Sequence, residues 1–487
     1  MNKFAKALGF DPVAKQTTVR KEIVAGIVTF LAMAYILMVN PLQILGDDVD
    51  LAHLWPSVFM ATAFGALIGT LLMAFLAKMP LAQASGMGLN STLGLVVGGG
   101  YGFAFSIGQG FMMVLISGVV FLIVSLLKIK GKSLRELIFD GMPVAIKGAI
   151  SVGIGLFIAY IGFQNAKIIV GSPYIISDLL IFSKYDVAAA NAAVCFVGLF
   201  TIVILEKFNV KGAVIIGILA ATIVGIPLNL TDLSVLSNGE GWKFWENYKN
   251  FFSAGEGSVF GSFATVFRDG FPAGSAFTVI MLVVTFCMID MFDTMGTIVG
   301  CCGGNRILSD ENNKPYNYNK IMIADSVATC AGAMLGTSTV TTFVESGAGV
   351  SAGGRTGLTA FTTACLFLLA TFILPVFQVI PSAATASALI YVGVLMMKNN
   401  VKMIDFSDAI NAVSAFLTVV VMILAYSITK GIGIGIVAYT IMTLISYGVS
   451  WIVYAINKKE KPVWNIHVVT LVVTALFLVY FFVPTVL

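Results

Sequence analysis

Four acidic residues stand where a greasy chain has little reason to keep a charge: Asp290, Asp293, Asp325 and Glu345. Asp290, Asp293, Thr294 and Thr297 are spaced so that a helix carries them as one polar stripe. Asp325 and Thr329 make a shorter stripe of the same kind. Glu345 lies in FVESGAGVSAGG (343–354), where Gly347, Gly349, Gly353 and Gly354 weaken a helix and let another backbone come close. An Asp at the centre of a membrane helix costs about 2.5–3.5 kcal/mol on insertion scales, so it needs a partner, a wet cavity or a function. For the whole stripe of Asp290, Asp293, Thr294 and Thr297 a structural hydrogen-bond seam between helices is the alternative reading, and Asp325 has the alternative of bracing the glycine-rich segment that follows it. Glu345 is expected to face a ligand. Two carboxylates on one cavity cannot comfortably both be ionised, and a protonatable acid beside a ligand is what proton coupling requires. Phe343, two residues earlier, offers a face on which a flat ring can stack, with ordinary packing as the plainer reading.

The elements that must position these residues are membrane helices. The chain of 487 residues is 58% hydrophobic and 11% charged, against about 25% charged in a soluble protein. Residues 23–46 carry no charge at all, and about 20 such residues suffice to cross a bilayer. The basic N-terminus is not followed by a short apolar core and cleavage site, so no cleaved signal peptide is expected. Neither the six cysteines nor the two histidines have metal-site, disulfide or Ser–His protease spacing. No metal, organic cofactor, enzymatic activity or nucleic-acid partner is expected.

Spans are expected near 24–45, 56–78, 107–128, 141–162, 188–206 and 210–227, and again near 273–300, 319–336, 356–375, 382–398, 406–428 and 432–453. Two segments, 82–98 and 338–352, are too short and polar to be ordinary spans. A last apolar stretch runs from 464 to 484. If the short segments cross, the basic groups around Lys3, Lys6 and Arg20, around Lys128, Lys130 and Lys132, at Lys398 and Lys402, and at Lys458, Lys459 and Lys461 share one side. That side, with the N-terminus, is expected to be cytoplasmic in a multi-pass cell-membrane protein. The acidic loop GDDVD (46–50) and the loop 228–272 then face outward, the latter with an aromatic amphipathic stretch, WKFWENYKNFF. Arg355 is expected to anchor the end of the second short segment.

The chain also repeats itself. Val28-Thr29-Phe30 recurs as Val284-Thr285-Phe286, and Ser85-Gly86-Met87-Gly88 as Ser346-Gly347-Ala348-Gly349. Pro143 recurs as Pro381, and the stretch from Asp186 and Asn191 to Lys211-Gly212 resembles that from Asp405 and Asn411 to Lys430-Gly431. With seven segments per copy, the second enters upside down, and matched short, glycine-broken segments mark the binding site of such transporters. An all-α polytopic fold of about fourteen segments in two inverted repeats is the expectation.

TFLAMAYILMVNP (29–41), GMGLN (86–90), DMFDTMGT (290–297) and ESGAGVSAGGRTGLT (345–359) resemble the nucleobase–cation symporter-2 family, most closely its AzgA-like purine permeases. The resemblance covers nearly the whole chain. It implies the uracil-permease-like fold, with a core domain from 24–128 and 273–376, a gate domain from 138–228 and 381–455, and a C-terminal segment from 456–487. It implies proton-coupled carriage of a purine base, guanine or hypoxanthine ahead of adenine, and leaves a homodimer open. By the family's motif, Asp293 and Glu345 hold the base, with Phe343 and Ser346 beside Glu345. Thr297 falls where relatives carry His or Asp, and Thr29-Phe30 where other branches carry Gln-His. Backbone N–H groups of Gly86–Gly88 or of Ser346–Gly347 are expected to meet the ring. Asp290, Asp325 and Asn90 are expected in coupling or supporting roles. An anion transporter of the same fold class is the alternative; such a site would want positive or neutral groups, which the two acids oppose.

Overall fold

In the computed structural model, all residues are described except 1–8, 12, 47–49, 100–102, 130–131, 172–177, 180–186, 238–241, 254–256, 303–306, 310–314, 458–460, 462, 465 and 483–487. Lys3, Lys6, Asp47, Asp48, Lys130, Asp186, Lys458 and Lys459 therefore lie outside the described residues. The chain is overwhelmingly helical. In order come α1 (Val19–Met33), α2 (Ile36–Leu45), α3 (Trp55–Leu72), β1 (Gln83–Ser85), α4 (Met87–Val97), α5 (Ile107–Leu126), α6 (Leu134–Gly141), α7 (Val144–Asn165), α8 (Val187–Lys207) and α9 (Ala213–Gly225). They are followed by α10 (Phe244–Phe252), α11 (Ala276–Cys302), α12 (Tyr318–Leu335), β2 (Val340–Thr342), α13 (Ser346–Ser351), α14 (Gly357–Ala370), α15 (Ser382–Asn400), α16 (Ala409–Leu424), α17 (Ile428–Asn457) and α18 (Val468–Phe482). Each expected span has a helix, and the aromatic stretch of the 228–272 loop is α10. Among the described residues, eight helices are long and apolar enough to cross a membrane, and shorter apolar ones accompany them. Helix α6 and two short antiparallel strand pairs, 128–129 with 132–133 and 169–170 with 178–179, are additions that apolar periodicity did not signal.

The first span starts on a Thr18 cap, whose hydroxyl accepts from the Lys21 N–H. It is interrupted at Ala34 and Tyr35 and resumes as α2, which contains Pro41. Pro41 has no N–H to offer the Leu37 carbonyl one turn back, so α2 lacks that bond in its interior.

The two short crossings meet as an antiparallel pair, Gln83 opposite Thr342, Ala84 opposite Thr341 and Ser85 opposite Val340. Extended backbone is tolerated at membrane depth only when its polar groups are satisfied inside the protein. Here Gly86 N–H donates to Thr339 O at 2.9 Å and Phe343 N–H to Ala82 O at 3.0 Å. The outer edge of β1 is satisfied by side chains: the Thr70 hydroxyl donates to Gln83 O and accepts from Gln83 N–H, and Ala82 N–H donates to Ser346 Oγ at 3.0 Å. Val340, Thr341 and Thr342 are β-branched, which suits the extended segment.

The structure corrects the pairing of SGMG with SGAG. Ser85 closes strand β1, whereas Ser346 opens helix α13. Between strand and helix the first copy has Gly86 alone, and the second has Phe343, Val344 and Glu345. That connector is the structural difference between the two crossings. Pro143 and Pro381 do occupy matching places, each just before a helix, α7 and α15. Lys211-Gly212 precedes α9, but Lys430-Gly431 lies within α17.

Residue contacts divide the chain into two units. The first comprises Met1–Ile123 and Ile158–Val392 and holds both short crossings and all four acids. Its helices come close where glycine allows: a Cβ on Gly349 would lie 2.0 Å from Thr29 Oγ1, and one on Gly94 would lie 2.2 Å from Gln43 O. The second comprises Val124–Phe157 and Gly393–Leu487. There α17 packs on α16 and on α18, where the Thr440 and Thr474 hydroxyls share a hydrogen bond at 2.7 Å. The described part of α18 has 15 residues, fewer than the roughly 20 that a crossing needs.

Candidate substrate-binding site

Glu345 is the last residue of the β2–α13 connector and sits at the N-terminal boundary of α13, 5% exposed. Its Oε1 accepts from the Tyr35 hydroxyl at 2.5 Å. Its Oε2 is buried and has no hydrogen-bond partner among the described residues. The connector is fixed from both sides: Phe343 N–H is held by Ala82, and the Cys301 thiol on α11 donates to Val344 O at 3.4 Å. Arg355 donates to Val350 O and Gly354 O, which anchors the far end of α13 as expected.

The polar stripe of α11 divides in two. Asp290 and Thr294 turn to α12: Thr329 Oγ1 donates to Asp290 Oδ2 at 3.0 Å, and Thr294 Oγ1 donates to Asp325 Oδ1 at 2.9 Å. Asp325 also accepts from Gln83 Nε2 at 2.9 Å, so it braces β1 of the first crossing. Asp290 and Asp325 are 1% and 0% exposed, and both belong to this seam. Asp293 is different. It keeps an accessible face, accepts no hydrogen bond among the described residues, and lies within electrostatic reach of Glu345 and Asp325. Thr297 is buried one turn further along α11.

The remaining expected residues separate into groups. Phe343 is buried beside Glu345. Asn90 Oδ1 accepts from Ser85 Oγ at 2.9 Å and from Ser338 Oγ, joining the two crossings. Asn40 extends the network, its amide donating to Thr62 and Thr337. Three expectations need correction. The backbone N–H groups of Gly86, Ser346 and Gly347 already donate to Thr339, Phe343 and Val344. Ser346 Oγ is held by Ala82. Thr29 donates to Ala25 O within its own helix and faces Gly349, while Phe30 stacks edge-on against Phe367 at 5.2 Å. These two residues pack helices together; the side chain that the first span sends to Glu345 is Tyr35. The N–H of Gly88, in the first turn of α4, has no acceptor among the described residues.

Sequence reasoning passed over Tyr35, Gln83 and Glu22. Glu22 is fully buried and accepts from the N–H groups of Arg355 and Thr356 and from the Thr359 hydroxyl. It ties the start of α1 to the chain leaving α13. A cavity of about 480 Å³ opens along α1, within the common range for small-molecule pockets, about 300–1,000 Å³. Val28 and Ala32 of α1, Ala348, Ser351 and Ala352, Glu206 of α8 and Lys211 of the α8–α9 connection line it. It reaches the helix that follows Glu345 from the side of Ser351.

The protein is similar to a guanine/hypoxanthine permease of Bacillus subtilis, 34% identical over 96% of this chain and 98% of that one. It is similar to an adenine permease of Escherichia coli, 33% identical over 88% of each chain. A putative permease of Methanocaldococcus jannaschii is 37% identical over 90% of this chain and 93% of its own. Among solved structures, the transmembrane domain of a cyanobacterial bicarbonate transporter matches with a TM-score of 0.59, 14% identity, and coverage of 85% of this chain and 97% of that one. That likeness speaks to the fold alone. The xanthine/uracil permease model, described as "Permease family", matches residues 20–434, and the chain accordingly belongs to that family, the nucleobase–cation symporter-2 permeases.

Proposed function

We propose that the protein carries purine nucleobases across the cell membrane, coupled to protons, by alternating access. The observation that carries this reading is a pair of carboxylates, Glu345 and Asp293, within electrostatic reach of each other, each with acceptor capacity left over. Glu345 Oε2 has no partner, and Asp293 accepts no hydrogen bond among the described residues. An unpaired buried acceptor is unfavourable until a donor arrives, and a purine ring offers N–H donors in a plane. A 6-oxopurine presents N1–H to a carboxylate and adenine does not, so guanine and hypoxanthine come first. The relatives named for guanine/hypoxanthine and for adenine support the substrate class.

In this mechanism the base lies at the crossing of the two short segments. Glu345 and Asp293 accept ring N–H groups in charge-assisted hydrogen bonds, Phe343 packs on the ring face, and the Gly88 N–H is a donor for a ring acceptor. Protonation of one acid lets the core (24–128 and 273–376) move against the gate (138–228 and 381–455). The N-terminus is cytoplasmic on the distribution of Lys and Arg.

Uptake of radiolabelled hypoxanthine, guanine and adenine in a strain lacking base transport, with and without a protonophore, tests the proposal. Saturable uptake that collapses with the protonophore supports it. Uptake of bicarbonate or sulfate unaffected by hypoxanthine would return the chain to the anion-transporter reading.

A further inference from the structure

We infer that Tyr35 is a positioning residue for the base: it fixes Glu345 so that Oε2 alone is offered to the ligand, and it thereby sets which purines bind well. The inference rests on the purine reading of the site. Tyr35 stands at the interruption between α1 and α2 and is fully buried. Its phenol lies 2.5 Å from Glu345 Oε1 and 3.6 Å from Met87 Sδ. A phenol has one proton to give, and the carboxylate is by far the better acceptor of the two. That single contact ties the first span to the connector of the second crossing, while Met87 brings in the first turn of α4. Asp293 is also within electrostatic reach of the phenol.

The consequence is geometric. A glutamate has three rotatable bonds, and a carboxylate with both oxygens unheld could meet donors from several directions. With Oε1 occupied, its plane and its remaining lone pairs are set. A base that places a ring N–H against Oε2 is then favoured over one carrying a methyl group at the same atom. Removing the phenol oxygen should slacken this choice without emptying the site, because Phe fills nearly the same volume.

The test compares wild type, Tyr35→Phe and Tyr35→His for hypoxanthine uptake, with 1-methylhypoxanthine as competitor. Membrane abundance is measured in parallel, and thermal stabilisation by hypoxanthine is read on purified protein so that a poorly accumulating variant still reports. Tyr35→Phe is expected to raise KM on the order of tenfold, the scale of one hydrogen bond to a charged group, with Vmax within about twofold. The preference for hypoxanthine over its 1-methyl analogue should shrink by a similar factor. Tyr35→His, which keeps a donor, should recover part of both. A purely structural role would lower abundance and weaken both bases equally, and that result overturns the inference, as does a wild-type KM and competitor order in Tyr35→Phe. No purine uptake by wild type removes the purine reading and this inference with it, whereas uptake by wild type with an unchanged Tyr35→Phe profile removes this inference alone.

Discussion

The two short crossings share a scaffold and differ in the join between strand and helix. Each is a strand followed by a helix, and the strands pair antiparallel as an inverted repeat requires. In the first crossing Gly86 alone joins strand to helix, and its neighbours Gln83, Ser85 and Asn90 are tied to Asp325, Thr337 and Ser338 of the second copy. In the second, Phe343-Val344-Glu345 occupies the join and leaves a carboxylate oxygen unpartnered among the described residues. One crossing thus chiefly braces the pair, and the proposed chemistry falls mainly on the other. A repeat can duplicate a frame while a short connector decides which copy meets the ligand.

The contrast can be broken most severely at the acids. Glu345→Gln and Asp293→Asn are each expected to reduce purine uptake at least a hundredfold while membrane abundance, read by immunoblot, stays near wild type. Full transport by either would remove that residue from the site. The brace should fail differently. Asp325→Ala strips the acceptor from Gln83 and Thr294, and leaving such donors unpaired costs about 1–3 kcal/mol. Lower thermal stability of the purified protein is expected together with roughly tenfold weaker uptake; lost uptake at wild-type stability would instead mark Asp325 as a ligand contact.

Smaller effects sharpen the picture. Gly349→Ala would set a methyl 2.0 Å from Thr29 Oγ1, whereas the nearest atom to a Cβ on Gly347 is Cys301 Sγ at 3.7 Å. Gly349→Ala should therefore cut uptake severalfold, with partial recovery in a Thr29→Ala background, while Gly347→Ala stays within about twofold. Equal losses at both glycines would argue against close packing of α1 on α13. Least of all, Phe30→Leu should change the thermal midpoint by a few degrees and leave KM unaltered, because that ring packs on Phe367.

Much of this was legible in the sequence. Charge-free stretches located the spans, and glycine with Glu345 marked the broken segment, because burial in lipid leaves few alternatives for either. Asp290 and Asp293 looked alike as members of one stripe, yet their neighbours separate them: Thr329 takes Asp290, and Asp293 keeps an accessible face. Spacing along one helix does not say which neighbour each side faces. Tyr35 was hidden within an apolar run, although a buried phenol usually needs a partner. Glu22 looked like one more charge beside a basic N-terminus, and its partners lie more than three hundred residues away. The pairing of SGMG with SGAG misled because short motifs of glycine and serine recur readily and carry no information on strand or helix.

The central claim is that the connector of the second crossing holds the base. Calorimetric titration of hypoxanthine into purified wild type and Glu345→Gln tests it most directly, since it needs neither coupling nor turnover. Saturable binding by wild type and at least tenfold weaker binding by Glu345→Gln is the expected result. Equal affinity in the two proteins would contradict the account.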